Sequence, residues 1–244
     1  MRNPYKLYGN IYNFEDAVKT ILMLKYGKKY SSESVNKIVK DTNRKYNYVC
    51  ITDDPADLDP IVKTIPLPDR IEGHWIKIWM FGLQDLGDVL YLDLDVRIQK
   101  NIDHLWNYLD EVPTIVYTYW KDRGFPDYVG ETHSMKYLSN YNSSVLLWKS
   151  GSLGAVRIWN IFEENLDYYM IKYWGDDRFL WHEKITLKTF PKGEIYSFVY
   201  GADYYGIDDH NESFYYRPDY TIALLNGLDQ FPGADKEYDE LRMH

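Results

Sequence analysis

The chain predicts an α/β fold: a mixed, mostly parallel central sheet flanked by helices, with a small additional β region. Three observations predict it. Two apolar runs, residues 18–24 and 46–52, flank a segment whose Val35, Ile38 and Val39 recur at helical spacing. That strand–helix–strand order pairs the two strands in parallel through a crossover. A third run, Val89-Leu90-Tyr91-Leu92-Asp93-Leu94-Asp95-Val96, starts as a strand and ends in two carboxylates two positions apart. Alternate strand residues share a face, so Asp93 and Asp95 are expected to project together.

The elements follow in order. Residues 1–16 are polar, tyrosine-rich and unassigned. The first strand, 18–24, runs into the basic loop Lys25-Tyr26-Gly27-Lys28-Lys29-Tyr30, and Ser31 or Ser32 can cap the helix behind it. The second strand closes at Asp53-Asp54-Pro55. Residues 61–67 read as extended, broken by Pro66 and Pro68. Ile76, Trp79, Met80 and Leu83 predict a helix over 74–85, stopped by Gly87 before the Asp93 strand. Ile102, Leu105, Trp106 and Leu109 mark another helix. Residues 113–119 and 142–148 read as strands on either side of a long polar and aromatic loop over 120–140. A helix over 153–166 and a shorter one opened by Gly175-Asp176-Asp177 follow. Residues 185–190, 195–199 and 221–225 are short strands, and a turn at Asn226-Gly227 leads to a charged tail. No repeat or linker divides the chain. One domain over 1–244 is expected, with about 1–100 as one half and about 101–244 as the other.

Composition narrows the classes. Of 244 residues, 45% are hydrophobic, enough for a sizeable core. The 25 Tyr and 8 Trp offer flat faces with polar tips, suited to stacking on sugars or bases, and equally to core packing. A formal charge of −9 argues against nucleic acid as partner. The single cysteine, Cys50, lies in an apolar run and supports neither an intrachain disulfide nor a cysteine-based zinc site. The start, Met1-Arg2-Asn3-Pro4-Tyr5, has no apolar core behind it, and no run reaches membrane-spanning length. A soluble, cytoplasmic protein is expected.

Two adjacent carboxylates repel unless a cation or a shared proton joins them. Oxygen donors at a strand end suit a hard divalent ion that keeps positions open for phosphate oxygens. Simple solvation of an Asp-x-Asp at a strand exit is the plainer alternative. In parallel sheets ligands bind beyond the carboxyl ends of the strands. Lys25 to Tyr30, Thr52-Asp53 and Asp93 to Asp95 all fall at such ends.

With the elements in place, the chain resembles glycosyltransferases of the GT-A fold, most of all the small bacterial and phage enzymes related to glycosyltransferase family 8. Four segments carry the resemblance: Lys25 to Tyr30 with Ile51-Thr52-Asp53-Asp54, then Leu90-Tyr91-Leu92-Asp93-Leu94-Asp95, then Tyr141-Asn142-Ser143-Ser144-Val145, then Gly175-Asp176-Asp177-Arg178-Phe179. The resemblance implies a nucleotide-sugar donor, UDP-linked above all, and a carbohydrate or other hydroxyl acceptor in a bacterial or phage-infected cell. It implies Mn2+ or Mg2+ held by Asp93 and Asp95. Lys25, Tyr26, Gly27, Tyr30, Thr52, Asp53 and Leu94 would line the nucleotide pocket. Lys77 would approach the donor, Asn142 and Ser143 the donor sugar or acceptor, and Asp176 and Asp177 the anomeric carbon. It favours transfer with retention.

Two departures stand out. The family closes with a His-Gly pair, the His being a third metal ligand, and a nearby Lys. Here Asn226, Gly227 and Gln230 occupy those places. An Asn carbonyl can ligate a hard cation but is neutral. Asp177 replaces the usual Gln.

Blander readings sit beside each assignment. Asp176 and Asp177 could simply favour a helix N-terminus; Asn142 could be a turn residue, Lys77 a solvated helix lysine, and Asn226-Gly227 a turn. Trp120, Tyr128 and Trp181 could stack on an acceptor, though packing is the simpler role for each. A phosphatase using Asp-x-Asp is the rival enzyme class, but Arg97 stands where it needs a small residue. A non-catalytic sugar-nucleotide-binding protein of the same fold is the other alternative.

Overall fold

The computed structural model describes residues 18–121, 139–202, 215–226 and 231–243. Strands β1 (Lys19–Lys25), β2 (Asn47–Thr52), β3 (Val62–Ile65), β4 (Asp88–Leu92), β6 (Thr114–Tyr117), β7 (Tyr141–Lys149) and β8 (Lys188–Thr189) form a seven-stranded sheet in the order β3-β2-β1-β4-β7-β6-β8. Only β7 runs against the others, since its pairings with β4 and β6 are antiparallel and the rest are parallel. A second sheet joins β5 (Val96–Ile98), β10 (Ile222–Leu224) and β9 (Ile195–Ser197), in that order.

Strict alternation explains the layers. Leu22, Leu24, Val49, Ile51, Val89 and Tyr91 enter one buried cluster, while Ile21, Met23, Tyr48, Cys50, Leu90 and Leu92 enter another. Successive side chains on a strand point to opposite faces, so these are the two faces of the main sheet. The first face is covered by α2 (Ile76–Met80), α3 (Leu153–Glu164), α4 (Leu166–Lys172) and α5 (Asp176–His182), with Trp75 stacked on Phe162 at 5.2 Å. The second is covered by α1 (Ser32–Asp41), through Val35, Ile38 and Val39, and by the inner side of the small sheet. The outer side of that sheet packs Tyr196, Phe198 and Leu225 against α6 (Ala234–Arg242). Many of the described aromatic residues, Tyr48, Tyr91 and Trp148 among them, are therefore core. Burial pushes the Cys50 thiol up to about 12, which keeps it protonated and inert at neutral pH.

Several elements differ from the sequence reading. The helix expected over 74–85 is a 3-10 turn, Gly73–Trp75, followed by the short α2. The chain then tightens through Gly82 N–H to Trp79 O at 2.9 Å and Leu83 N–H to Met80 O at 3.1 Å. Gly82 is the reason: a Cβ there would lie 2.8 Å from the Trp159 ring, so α3 packs directly on this backbone. Gly87, at φ +73°, turns the chain where a Cβ would lie 2.2 Å from Val18 O. The helix expected around Leu105 is the 3-10 segment Asp103–Tyr108. Residues 185–190 pair only at Lys188–Thr189. The charged tail folds as α6, because Tyr238 finds an aromatic bed. Ser31 occupies the α1 cap without a side-chain bond to the helix, and the Ser32 hydroxyl donates to Ala56 O instead.

Candidate active site

The strand order reverses between β1 and β4, which opens a crevice at their carboxyl ends. At the β1 and β2 ends, Gly27 N–H donates to Asp53 Oδ2 at 3.0 Å. Gly27 takes φ +61°, which fits a glycine there. Lys25 is 3% exposed and donates to the carbonyl of Asp54 at 2.8 Å. The Thr52 hydroxyl is used in a local turn with Asp54. Lys25, Gly27, Tyr30, Ser32, Asp54 and Asp57 line a cavity of about 580 Å³. Tyr26 is exposed, and its hydroxyl lies 3.7 Å from where a Cβ on Gly73 would stand. It therefore reaches across to the segment that carries Lys77.

At the β4 end the strand reading needs correction. β4 stops at Leu92, and Asp93-Leu94-Asp95 form the turn into β5. The turn forms because the chain leaves the main sheet for the small one: Asp93 N–H still donates to Ser144 O at 2.9 Å, whereas Asp95 O already accepts from Leu225 N–H at 3.1 Å. Leu94 fills the second core cluster, so only its backbone is left for a ligand.

Lys77 is the centre of this corner. It is not a solvated helix lysine: it is 8% exposed. Its Nζ donates to Asp93 Oδ2 at 2.8 Å and to Ser143 Oγ at 3.2 Å, and stands 5.4 Å from the centre of the Tyr91 ring. The Tyr91 hydroxyl donates to the other oxygen, Asp93 Oδ1. Burial alone would lower the Lys77 pKa, but Asp93, Asp176 and Asp95 together raise it. The Tyr91 hydroxyl is driven well up by burial and by the same three carboxylates. Asp93, Asp95 and Asp176, from two distant segments, thus share one electrostatic neighbourhood. Ser143 reaches Lys77 where the β6–β7 register slips: Ile115 pairs with Leu146 and Val116 with Asn142, so residues 143–145 pass without a β6 rung.

Asp176 opens α5 behind an extended Gly175. It is 4% exposed, and its Oδ2 is buried without a hydrogen-bond partner. It is the first residue of α5, Gly175 holding the cap position, so it stands in the first turn where an anion is favoured and makes no side-chain cap bond. Asp177 Oδ1 accepts from Arg178 N–H at 2.8 Å. Burial, then the Asp176 charge, raise the Asp177 pKa against the pull of Arg178 and Lys121. Asn142 lies on β7 and its Oδ1 accepts from Ser144 N–H at 2.9 Å, which ties its carbonyl to the backbone.

The β5–β10 pairing brings Asn226 next to the Asp95 turn, where it adopts φ +56° and its Oδ1 accepts from the Ser197 hydroxyl. Gly227, Gln230 and Tyr128 lie outside the described residues. Trp120 is buried and Trp181 packs edge-on to Tyr141 at 4.8 Å, so packing is the observed role of both. Sequence reasoning missed Tyr91; its place two residues before Asp93 on one strand face was the available signal.

Can these residues hold a divalent cation? Among the described residues no group of three or more His, Cys, Asp or Glu is arranged as a metal site. The donors are two carboxylates in one three-residue turn plus the Asn226 amide. All are oxygen donors, which suits a hard ion completing its shell with phosphate oxygens. The buried Asp176 oxygen without a hydrogen-bond partner adds negative charge to the same neighbourhood. The residues fit such an ion.

No protein-family model matches the chain, and no curated protein matches its sequence. Solved structures do. The galactosyltransferase LgtC, in complex with donor and acceptor sugar analogs, superposes with a TM-score of 0.58 at 13% identity over 91% of this chain and 94% of its own. Mouse xyloside xylosyltransferase 1 gives 0.50 at 12% identity, over 86% and 98%. The glycosyltransferase GlyE of Streptococcus pneumoniae gives 0.51 at 14% identity, over 75% of this chain and 48% of its own. Among the described residues no helix is long and apolar enough to cross a membrane. The chain thus has the GT-A fold of these glycosyltransferases: a mixed α/β main sheet flanked by helices, with a small sheet beside it.

Proposed function

We propose that this protein is a metal-dependent glycosyltransferase related to family 8, moving a sugar from a UDP-sugar to a carbohydrate or other hydroxyl acceptor with retention. The observation that supports the reading is the buried Lys77 ammonium held by Asp93 and Ser143 at the sheet's switch point, with Asp176 and Asp95 near enough to act on its charge.

The roles follow from the placements. The cavity at the β1 and β2 ends would take the nucleoside, with Tyr26 and Asp53 at its edge. Asp93, Asp95 and Asn226 would hold Mn2+ or Mg2+. When bound, that ion would supply Lewis-acid stabilisation of the charge gathering on the diphosphate as the sugar–phosphate bond breaks. Lys77 would add a fixed positive charge, already desolvated and needing no reorganisation. Tyr91 and Ser143 would hold Lys77 and Asp93 in register. The orphaned Asp176 oxygen would face the cation-like sugar, where a carboxylate is most useful. Asp177, whose pKa is raised by burial and by Asp176, would be the more readily protonated of the two carboxylates and would leave Asp176 as the charged one beside the sugar. Retention would route the acceptor's proton to the departing phosphate.

A second reading has its own observation. Asn226 is neutral and already accepts from Ser197, and both Asp93 oxygens have partners. That suits a protein that binds a sugar nucleotide and turns it over weakly or not at all. Thermal-shift measurements with UDP, other nucleoside diphosphates and UDP-sugars, with and without Mn2+, test both. UDP with Mn2+ should give the largest shift, and Asp95→Ala should remove its metal-dependent part. An unchanged shift in that variant defeats the ligand assignment. Release of UDP from a UDP-sugar eliminates the non-catalytic reading.

A further inference from the structure

A second cavity, of about 520 Å³, lies on the helix-bearing face between residues 68–71 and the α3–α4 junction. None of the residues assigned to the donor or the metal lines it. Two aromatic side chains, Trp159 and Tyr168, offer faces to it, with the buried Trp79 beneath. Asp69, Glu163, Glu164, Asn165 and Asp167 surround them, with Arg70 as the one cation of the lining. We propose that this cavity is a carbohydrate subsite that holds the non-reacting end of an oligosaccharide acceptor. The proposal rests on the glycosyltransferase reading for the word acceptor, and on the cavity itself for the word carbohydrate.

Its chemistry favours a neutral polyol. Flat aromatic surfaces match the C–H faces of sugar rings, and carboxylates and amides accept hydroxyl protons. Four carboxylates against one guanidinium repel phosphates, nucleotides and nucleic acid. The aromatic walls are set in advance. Trp159 is backed by Gly82, where a Cβ would come within 2.8 Å of the ring. Tyr168 carries the Lys172 ammonium 5.3 Å from its ring centre. Across the cavity, Arg70 and Asp167 stand 3.8 Å apart with side chains 78% and 77% exposed, a pair weak enough to open for a ligand.

Its position supplies the link to acceptor. Helix α4 starts in the cavity wall at Leu166 and ends just before Asp176. Seven helical and three extended residues span at most about 20 Å, a reach suited to a short oligosaccharide. Tyr168, Ile171 and Trp174 stand exposed along that path, at 56%, 80% and 64%. Arg178 lies 5.6 Å from the Trp174 ring, next to Asp177.

The test uses the full chain, with maltohexaose, cellohexaose and chitohexaose, their monosaccharides, and spermidine as probes. Calorimetry and saturation-transfer NMR read binding; UDP with Mn2+ is titrated separately. At least one hexasaccharide should bind about tenfold tighter than its monosaccharide, and Tyr168→Ala should weaken it about tenfold. UDP affinity should stay within about twofold in that variant. Trp159→Ala should abolish hexasaccharide binding; if it fails to fold by circular dichroism, the exposed Tyr168→Ala decides alone. No hexasaccharide binding, binding indifferent to Tyr168→Ala, or spermidine binding that Tyr168→Ala removes overturns the proposal. UDP binding without hexasaccharide binding defeats the subsite and spares the transferase reading. Tyr168-dependent hexasaccharide binding without UDP binding does the reverse.

Discussion

Two lysines bring their ammonium groups to the carboxyl ends of neighbouring strands, Lys25 from the end of β1 and Lys77 from α2, each beside an aspartate, and they do different work. Lys25 donates to the backbone carbonyl of Asp54 at 2.8 Å, while that residue's carboxylate stands 3.7 Å off with its side chain 64% exposed. Its role is to fasten the loop after β2 to the end of β1. Lys77 donates to a carboxylate, Asp93, whose side chain is 22% exposed, and it feels two further carboxylates. A buried ion pair seldom adds net stability over an apolar replacement. A charge that costs that much to bury, at a crevice, is better explained by use than by folding. The contrast teaches that burial of a lysine says little; what it donates to, and how many charges it answers, says more.

The sharpest way to break the comparison is Lys77→Met. It strands Asp93 and should cost about 3–5 kcal/mol in urea unfolding. Lys77→Met with Asp93→Asn should recover most of that stability and none of the UDP release from UDP-glucose or UDP-galactose. If the double variant stays active, Lys77 is a structural pin like Lys25. Asp176→Asn comes next. It removes a charge but no hydrogen bond, because Oδ2 has none in the fold. Turnover should fall about a hundredfold or more, with Tm moving by only about 2 °C. A large loss of Tm with turnover intact would return Asp176 to a structural role. Lys25→Met is the milder control. It should cost about 1.5 kcal/mol and weaken UDP by less than about tenfold, and a loss as deep as that of Lys77→Met would erase the distinction.

The sequence carried the scaffold well and the site's interior poorly. Alternation in β1, β2 and β4 specifies both sheet faces, and the helical triad of α1 was legible for the same reason. Lys77 was legible only through the family resemblance, because periodicity assigns a polar residue in an amphipathic segment to solvent. Nothing local reveals that Asp93 and Ser143, 16 and 66 residues away, close over it. The Asp-x-Asp turn was read as strand because β propensity runs on through Val96. Only the departure into the small sheet, fixed by β10 far along the chain, ends β4 at Leu92. Gly82 was silent too, since a glycine that admits a tryptophan from another helix looks like any other glycine.

The smallest expected effect concerns the two adjacent carboxylates of α5. Burial, then the charge of Asp176, raise the Asp177 pKa in the folded chain. A raised carboxyl binds its proton more tightly folded than unfolded. The fold therefore loses stability as pH climbs from the ordinary aspartate value through the raised one, and carries the full penalty above it. Asp177→Asn removes that penalty. The variant should melt higher than the parent at pH 7, by about 2 °C, and the gap should close at a pH below the ordinary aspartate range. Its Arg178 N–H bond survives, because an amide oxygen accepts as a carboxylate does. A gap that persists unchanged at low pH would trace the gain to packing rather than charge. Asp177 would then lose its standing as the proton-carrying member of the pair, leaving Asp176 to act alone beside Lys77.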